Sequence, residues 1–248
     1  MKIIRQNKKK LPMSVVCTTH RRPQQLFKLL NTMEKNLFLP EEVIIIGTSI
    51  NDFSMINNKK YTIKLKKVIS SKKSQVFQRN LGISQARSQL LIQCDDDLLL
   101  DRNFFLNIYK NFQVNINKNY IIGSKILTSK NNVQSERWNK AYDNFIFFRI
   151  ILKSLNNFKK INNMSLLSSG RIAPRLPMKL RKYKTHFKLK NVEWLSSTIC
   201  YNLKKINKIK FNKTNKNKSY YEDVYFTHYN YKKGFNLILD SRVICYHQ

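Results

Sequence analysis

Four short apolar runs in the first 95 residues limit the folds open to this chain. "MSVVCTT" (13–19), "EVIIIG" (42–47) and "LLIQC" (90–94) are dense in β-branched and aliphatic residues, as buried strands are. "YTIKLKKVI" (61–69) alternates apolar with polar, as a further strand does. Between the first two, "RPQQLFKLLNTMEKN" puts Leu26, Leu29, Leu30 and Met33 on one face of a helix, and Pro23 lies near its start, where a missing N–H does no harm. "SQVFQRNLGISQARSQ" (74–89) reads as a second helix that tolerates Gly82. Strand, helix and strand in this rhythm predict parallel strands with right-handed crossovers, hence an α/β fold.

The second half is less regular. "YIIGSKIL" (120–127) and "VEWLSSTICYNL" (192–203) read as strands, "YYEDVYFTHYNYKKG" (220–234) as a helix closed by Gly234, and "FNLILDSRVICYH" (235–247) as one or two final strands. Residues 128–191 contain no interpretable motif, and no internal repeat is present. With 248 residues, 42% hydrophobic and 12% aromatic, the chain has ample core, and no long Pro/Gly/Ser-rich linker divides it. The expectation is a basic tail over 1–12 followed by one domain over 13–248.

Charge speaks to partners. Lys and Arg number 47 against 14 Asp and Glu, a net charge of +33. Such an excess attracts nucleic acid, phosphorylated substrates or an acidic membrane surface, although a Lys/Asn/Ile-rich composition can also reflect genome bias. Local clusters, "NKKK" (7–10) and "KLRKYKTHFKLK" (179–190), mark contact surfaces or merely solvated faces. The segment "FIFFRIIL" (145–152) is too short to span a bilayer; it reads as a core-packed or membrane-surface helix. The N-terminus lacks the apolar stretch of a signal peptide, and a cytoplasmic location is expected. Cys17, Cys94, Cys200 and Cys245 form no CxxC pair and are expected as buried, reduced thiols.

In this basic chain Asp95, Asp96 and Asp97 stand side by side at the end of "LLIQC", the strand edge where ligands bind in open α/β sheets. Adjacent carboxylates repel unless something positive sits among them, and a divalent ion with hard oxygen ligands, Mg²⁺ or Mn²⁺, meets that need. Complementing the following helix's N-terminus is the other reading, and it suits Asp101, which precedes "RNFFLNIYKNF". A second pair, Glu222 and Asp223, opens the late helix; it fits a helix dipole or a general base.

The order "SVVCTTHRRPQQLFKLL", "QRNLGISQARSQLLIQCDDDLLLDRNFF", "YYEDVYFTHYNYKKGFNLILDSRVICYH" resembles family 2 glycosyltransferases of the GT-A fold, over residues 13–110 and 192–247. That resemblance implies a Rossmann-like, mainly parallel sheet flanked by helices, with a nucleotide-sugar half (13–127) and an acceptor half (128–248). It implies inverting transfer of one sugar from a nucleotide-diphosphate donor to a hydroxyl of a glycan or lipid-linked glycan. Asp95 and Asp97 take the metal positions of the Asp-x-Asp motif, with His247 completing them. Thr19, His20 and Asp96 fall at the donor, Arg79 contacts a donor phosphate or the acidic loop, Asp223 is the base, and Glu222 and Trp194 lie at the acceptor. The chain departs from the pattern at Gly47, where the family has Asp and where Asp52 is the nearest substitute, and at Ser196/Ser197, where it often has Gly.

"QSERW" (134–138) fits a signature of processive synthases but stands before Glu222 instead of after Asp223, so it is read as chance, with Trp138 still able to stack on a sugar. Basic segments are expected to hold a polyanionic acceptor or the anionic membrane surface that carries it. Two further readings compete: a nucleic-acid binder or metal-dependent nuclease, carried by charge and by "RKYKTHFK", and a degenerate glycan-binding domain, suggested by Gly47.

Overall fold

The computed structural model describes residues 8–57, 60–114, 118–128, 189–206, 211 and 222–248. The strands are β1 (Lys10–Thr18), β2 (Leu39–Gly47), β3 (Lys64–Ile69), β4 (Leu90–Asp95), β5 (Leu98–Leu100), β6 (Tyr120–Thr128), β7 (Leu189–Val192), β8 (Thr198–Asn202) and β9 (Asn236–His247). The α-helices among these residues are α1 (Pro23–Glu34), α2 (Gln75–Gln85), α3 (Phe104–Val114) and α4 (Glu222–Lys232).

Why the strand sequences are apolar throughout is plain from their two faces. Met13, Val15 and Cys17 pack with Leu26, Leu29 and Leu30 of α1 and Phe104, Phe105 and Ile108 of α3. Val16, between them in sequence, points the other way and joins Val76 of α2 and Val224 and Phe226 of α4. Helices on both faces of one sheet bury Met13–Thr18 of β1 and Leu90–Cys94 of β4 without a break.

The strand order is β3-β2-β1-β4-β8-β6-β9-β5, with β7 on β9. β1, β2, β3 and β4 run parallel, and β8 is antiparallel to β4. From β1 the chain winds to β2 and β3 on one side, then returns to β4 on the other. The carboxyl ends of β1 and β4 therefore meet at a topological switch point, with Thr18 opposite Asp95 in register. Crevices of this kind are where such sheets bind ligands.

Several expectations shift. β1 starts at Lys10, inside the expected basic tail, because Lys10 and Leu11 pair with Leu39 and Pro40 and Leu11 is buried. The second helix stops at Gln85, short of residue 89, since Ala86 is extended and the N–H groups of Arg87 and Ser88 donate to Glu42 and Ser14 side chains. "VEWLSSTICYNL" is not one strand: Ser197, at φ 64°, turns the chain between β7 and β8. The C-terminal run is a single strand, β9, with a bulge where Asp240 pairs with Ser124 and Ile244 with the next residue, Lys125.

Gly234 follows α4 at φ 88°, where a side chain would be strained. Gly82 serves a different need. A Cβ there would lie 2.2 Å from Val16 Cγ1, so the glycine is what lets α2 rest directly on β1. All four cysteines are buried free thiols, and burial pushes Cys17, Cys94 and Cys200 well above the usual thiol range. No helix among the described residues is long and apolar enough to cross a membrane. Residues 134–138 with Trp138, the 145–152 segment and the 179–190 cluster up to residue 188 lie outside the described residues.

Candidate active site

Each acid of the triplet has its own cationic or hydroxyl partner. Asp95, the last residue of β4, accepts from Arg79 Nη2 at 2.8 Å through Oδ1. Asp96 is buried; its Oδ2 accepts from Thr19 Oγ1 at 2.8 Å and its Oδ1 from Arg22 Nη1 at 3.3 Å. Asp97 Oδ2 accepts from the same Arg22 nitrogen at 3.2 Å and lies 3.4 Å from His247 Nε2. The repulsion among three neighbouring carboxylates is thus offset by two arginines and a histidine drawn from α2, the β1–α1 turn and the end of β9.

Their environments separate the three acids. Burial, reinforced by the charges of Asp223 and Asp97, lifts Asp95 to about 6 even with Arg79 opposing. Burial also raises Asp96 against its bonds from Thr19 and Arg22. Asp97 is held below the ordinary carboxylate value by the hydrogen bond from His247, with desolvation opposing and Arg22 assisting. Asp97 is therefore the member of the triplet most firmly kept as an anion.

Arg79 reaches further than the triplet. Its side chain is 4% exposed, and Nη1 stands 3.1 Å from Glu222 Oε1, an ion pair that falls off the hydrogen-bond axis. Phe211 lies under the guanidinium at 5.3 Å. Burial pushes the Arg79 pKa down, but Asp95, Asp223 and Glu222 together outweigh it and raise it. Helix α2 puts Val76, Gln78, Arg79 and Gly82 against the sheet; Gln78 Nε2 donates to Thr19 O and Ile46 O and ties the ends of β1 and β2 together.

Asp223, in the first turn of α4, accepts from Ser197 N–H at 2.8 Å, and Ser197 C=O accepts from Asp95 N–H at 3.2 Å. One left-handed residue thus bridges the triplet and the second acidic pair through its main chain. Glu222 is buried, and burial raises it against Arg79. Trp194, expected at the acceptor surface, is instead only 4% exposed, and its ring belongs to the apolar cluster with Val224 and Phe226.

Beside the triplet, a groove of about 330 Å³ is lined by Thr19, His20, Arg22, Thr48, Lys73 and Asp96. A second hollow of about 510 Å³ shares His20, Thr48 and Lys73 with it and continues to Asn51 and Asp52. Asp52, expected to read the nucleotide, is 1% exposed and accepts from Arg21 N–H at 2.6 Å, Thr48 N–H at 2.7 Å and Ser49 N–H at 3.1 Å. Desolvation pushes its pKa up, but these bonds win and lower it. At Gly47 a Cβ would lie 2.7 Å from Phe53 Cζ, so the position where the family has an acid is filled by an aromatic ring.

As a metal centre the set is sparse: no cluster of three His, Cys, Asp or Glu side chains able to hold an ion occurs among the described residues. Asp95, expected as a ligand, gives its carboxylate to Arg79. Asp97 Oδ2 and His247 Nε2 do converge, and the guanidinium of Arg22 stands against Asp96 and Asp97 as a cation already does. Two protein donors fit a divalent ion whose remaining positions are filled by phosphate oxygens and water. Arg22, Gln78 and Lys73 were not singled out from sequence, although Arg22 and Gln78 lie within the stretches that carry the family resemblance.

The architecture is that of GT-A glycosyltransferases: a mixed, mainly parallel sheet with helices on both faces and an acidic triplet at the switch point. No protein-family model matches the chain, and no curated protein does. Among solved structures it is similar to S. aureus TarS, with a TM-score of 0.57 at 16% identity over 96% of this chain and 37% of that one. Residues 1–349 of S. aureus TarS give 0.53 at 16% identity over 93% and 60%. GalNAc-T7 with UDP, GalNAc and Mn²⁺ gives 0.59 at 12% identity over 95% and 42%. The chain thus spans less than two thirds of the length of each of these proteins.

Proposed function

We propose that this protein is a metal-assisted, inverting glycosyltransferase, moving one sugar from a nucleotide-diphosphate donor to a hydroxyl of a glycan or lipid-linked glycan. The observation that carries the reading is the meeting of two acidic sites across one buried arginine: Asp95 and Glu222, 127 residues apart in sequence, both pair with Arg79 beside a polar groove at the switch point. The GT-A architecture, and the UDP, GalNAc and Mn²⁺ of one similar structure, support it.

In this reading residues 13–127 bind the donor and 128–248 the acceptor. The nucleotide lies along the groove past Thr19, His20 and Thr48, with its diphosphate toward Arg22 and Lys73. Asp97 and His247 would hold the divalent ion, which when bound supplies Lewis-acid stabilisation of the leaving diphosphate. Asp223 takes the proton of the acceptor hydroxyl as that oxygen bonds to the anomeric carbon and the bond to the diphosphate breaks. Ser197 N–H holds one of its oxygens, leaving the proton to the lone pairs that remain. Glu222, anchored on Arg79, holds the start of α4 in place. Contact with an anionic membrane or polyanionic acceptor belongs to the same proposal and rests on the chain's +33 charge.

The test is a thermal-shift panel of uridine, guanosine, thymidine and cytidine diphosphates with and without Mn²⁺. A shift by one nucleotide that grows with Mn²⁺ is expected. A panel without response under either condition would overturn the transferase reading in favour of a degenerate domain.

A further inference from the structure

The two arginines of the site are held in different ways. Arg79 is buried, engages two carboxylates through separate nitrogens, and has a ring beneath it. Arg22 has a side chain 51% exposed and contacts two carboxylates through one nitrogen at 3.2 and 3.3 Å, toward the long end for charged hydrogen bonds. It also sits at the N-cap of α1, where a positive charge opposes the helix dipole. Arg21, at φ 56°, is pinned in that conformation by its N–H bond to Asp52, and this turn is what presents Arg22 to the triplet.

The oxygen that Arg22 contacts on Asp97, Oδ2, is the one that faces His247 Nε2. A divalent ion held by Asp97 and His247 and the Arg22 guanidinium therefore compete for one atom. Arg22 also lines the groove, so a guanidinium leaving Asp97 remains within the same cavity as any diphosphate there.

We propose that Arg22 is an exchangeable counter-ion: it neutralises Asp96 and Asp97 in the empty enzyme and transfers to the donor's diphosphate when a divalent ion takes Asp97. This rests on the nucleotide-sugar reading above and adds to it a residue with two successive partners. Arg79 is the fixed counter-ion of the same site and does not exchange.

The consequence is two effects of opposite sign in one variant. Arg22→Gln removes a competitor from Asp97 and should tighten Mn²⁺ binding to the nucleotide-free protein roughly fivefold, near the low end of coupling between sites because the pair is half exposed. It should weaken binding of inorganic pyrophosphate, measured in EDTA so that no metal takes part, by a similar factor. Electron paramagnetic resonance of free Mn²⁺ reads the first and calorimetry the second. A merely structural role for Arg22 would weaken both together. If Arg22→Gln leaves both affinities unchanged while the wild type binds Mn²⁺ and UDP, the exchange is overturned and the transferase reading stands. If the wild type binds neither Mn²⁺ nor any nucleotide of the panel, both fall.

Discussion

Replacing Gly82 by alanine sets two known effects against each other. In an exposed helix the change would stabilise by about 1 kcal/mol through helix propensity. Here the new methyl would stand 2.2 Å from Val16 Cγ1, more than 1 Å inside the roughly 3.5 Å of a good carbon contact. Rotating Val16 gives only part of the relief, since its Cβ would stay at 3.2 Å and the side chain is fully buried with a stiff χ1. Overpacking of this kind costs about 1–3 kcal/mol, toward the upper end where backbone must move, so the clash outweighs the propensity gain by about 1–2 kcal/mol. At about 2–4 °C per kcal/mol for a chain of this size, the melting temperature should fall by about 2–8 °C. Thermal unfolding followed by circular dichroism measures it. The same substitution in a Val16→Ala background, where the methyl has room, should be neutral or stabilising. A rise in melting temperature for Gly82→Ala alone would refute the close packing of α2 on β1.

Asp223→Asn should abolish transfer while leaving metal-dependent nucleotide binding intact, and Asp97→Ala should weaken both, as read by turnover and thermal shift; near-normal turnover of the asparagine variant would remove Asp223 as the base. Arg79→Met leaves Asp95 and Glu222 without their shared cation and should cost about 3–5 kcal/mol in urea unfolding, whereas Arg79→Lys, with one point charge, should recover only part of it. Asp52→Asn should destabilise by about 1–3 kcal/mol at pH 7, because one carboxylate oxygen facing two N–H groups is lost. The folded pKa of Asp52 lies below the ordinary 3.8, so its ionisation stabilises above that value and the benefit is lost as pH falls through the folded pKa. The gap between wild type and Asp52→Asn should therefore hold from pH 7 to about 4 and close below it.

What the sequence disclosed, it disclosed through local pattern. Strand and helix periods are imprinted by burial, which is why β1, β2 and β4 and the face of α1 could be read from apolar residues alone. Asp95 to Asp97 stood out because acids are scarce in this chain. Partners across the fold leave no such mark in composition or period: Arg22 meets Asp97 over 75 residues and went unremarked, while Arg79, which meets Glu222 over 143, was marked only by the family resemblance. Without them the triplet looked like an unanswered charge for a metal or a helix N-terminus to settle; in the fold much of that charge is already answered by arginine. Trp194 misled for a related reason, since an aromatic side chain suits a sugar platform and a core equally well, and the packing of α4 decides. The break at Ser197 was hidden by a run of strand-forming neighbours, because only the backbone records a left-handed residue.

That residue says something about how much change such a site can absorb. Ser197 sets the triplet and the carboxylate of α4 at their distance with its own N–H and C=O, atoms that nearly every amino acid carries. A spacing written in main-chain atoms survives wholesale replacement of side chains, and selection need only keep the turn.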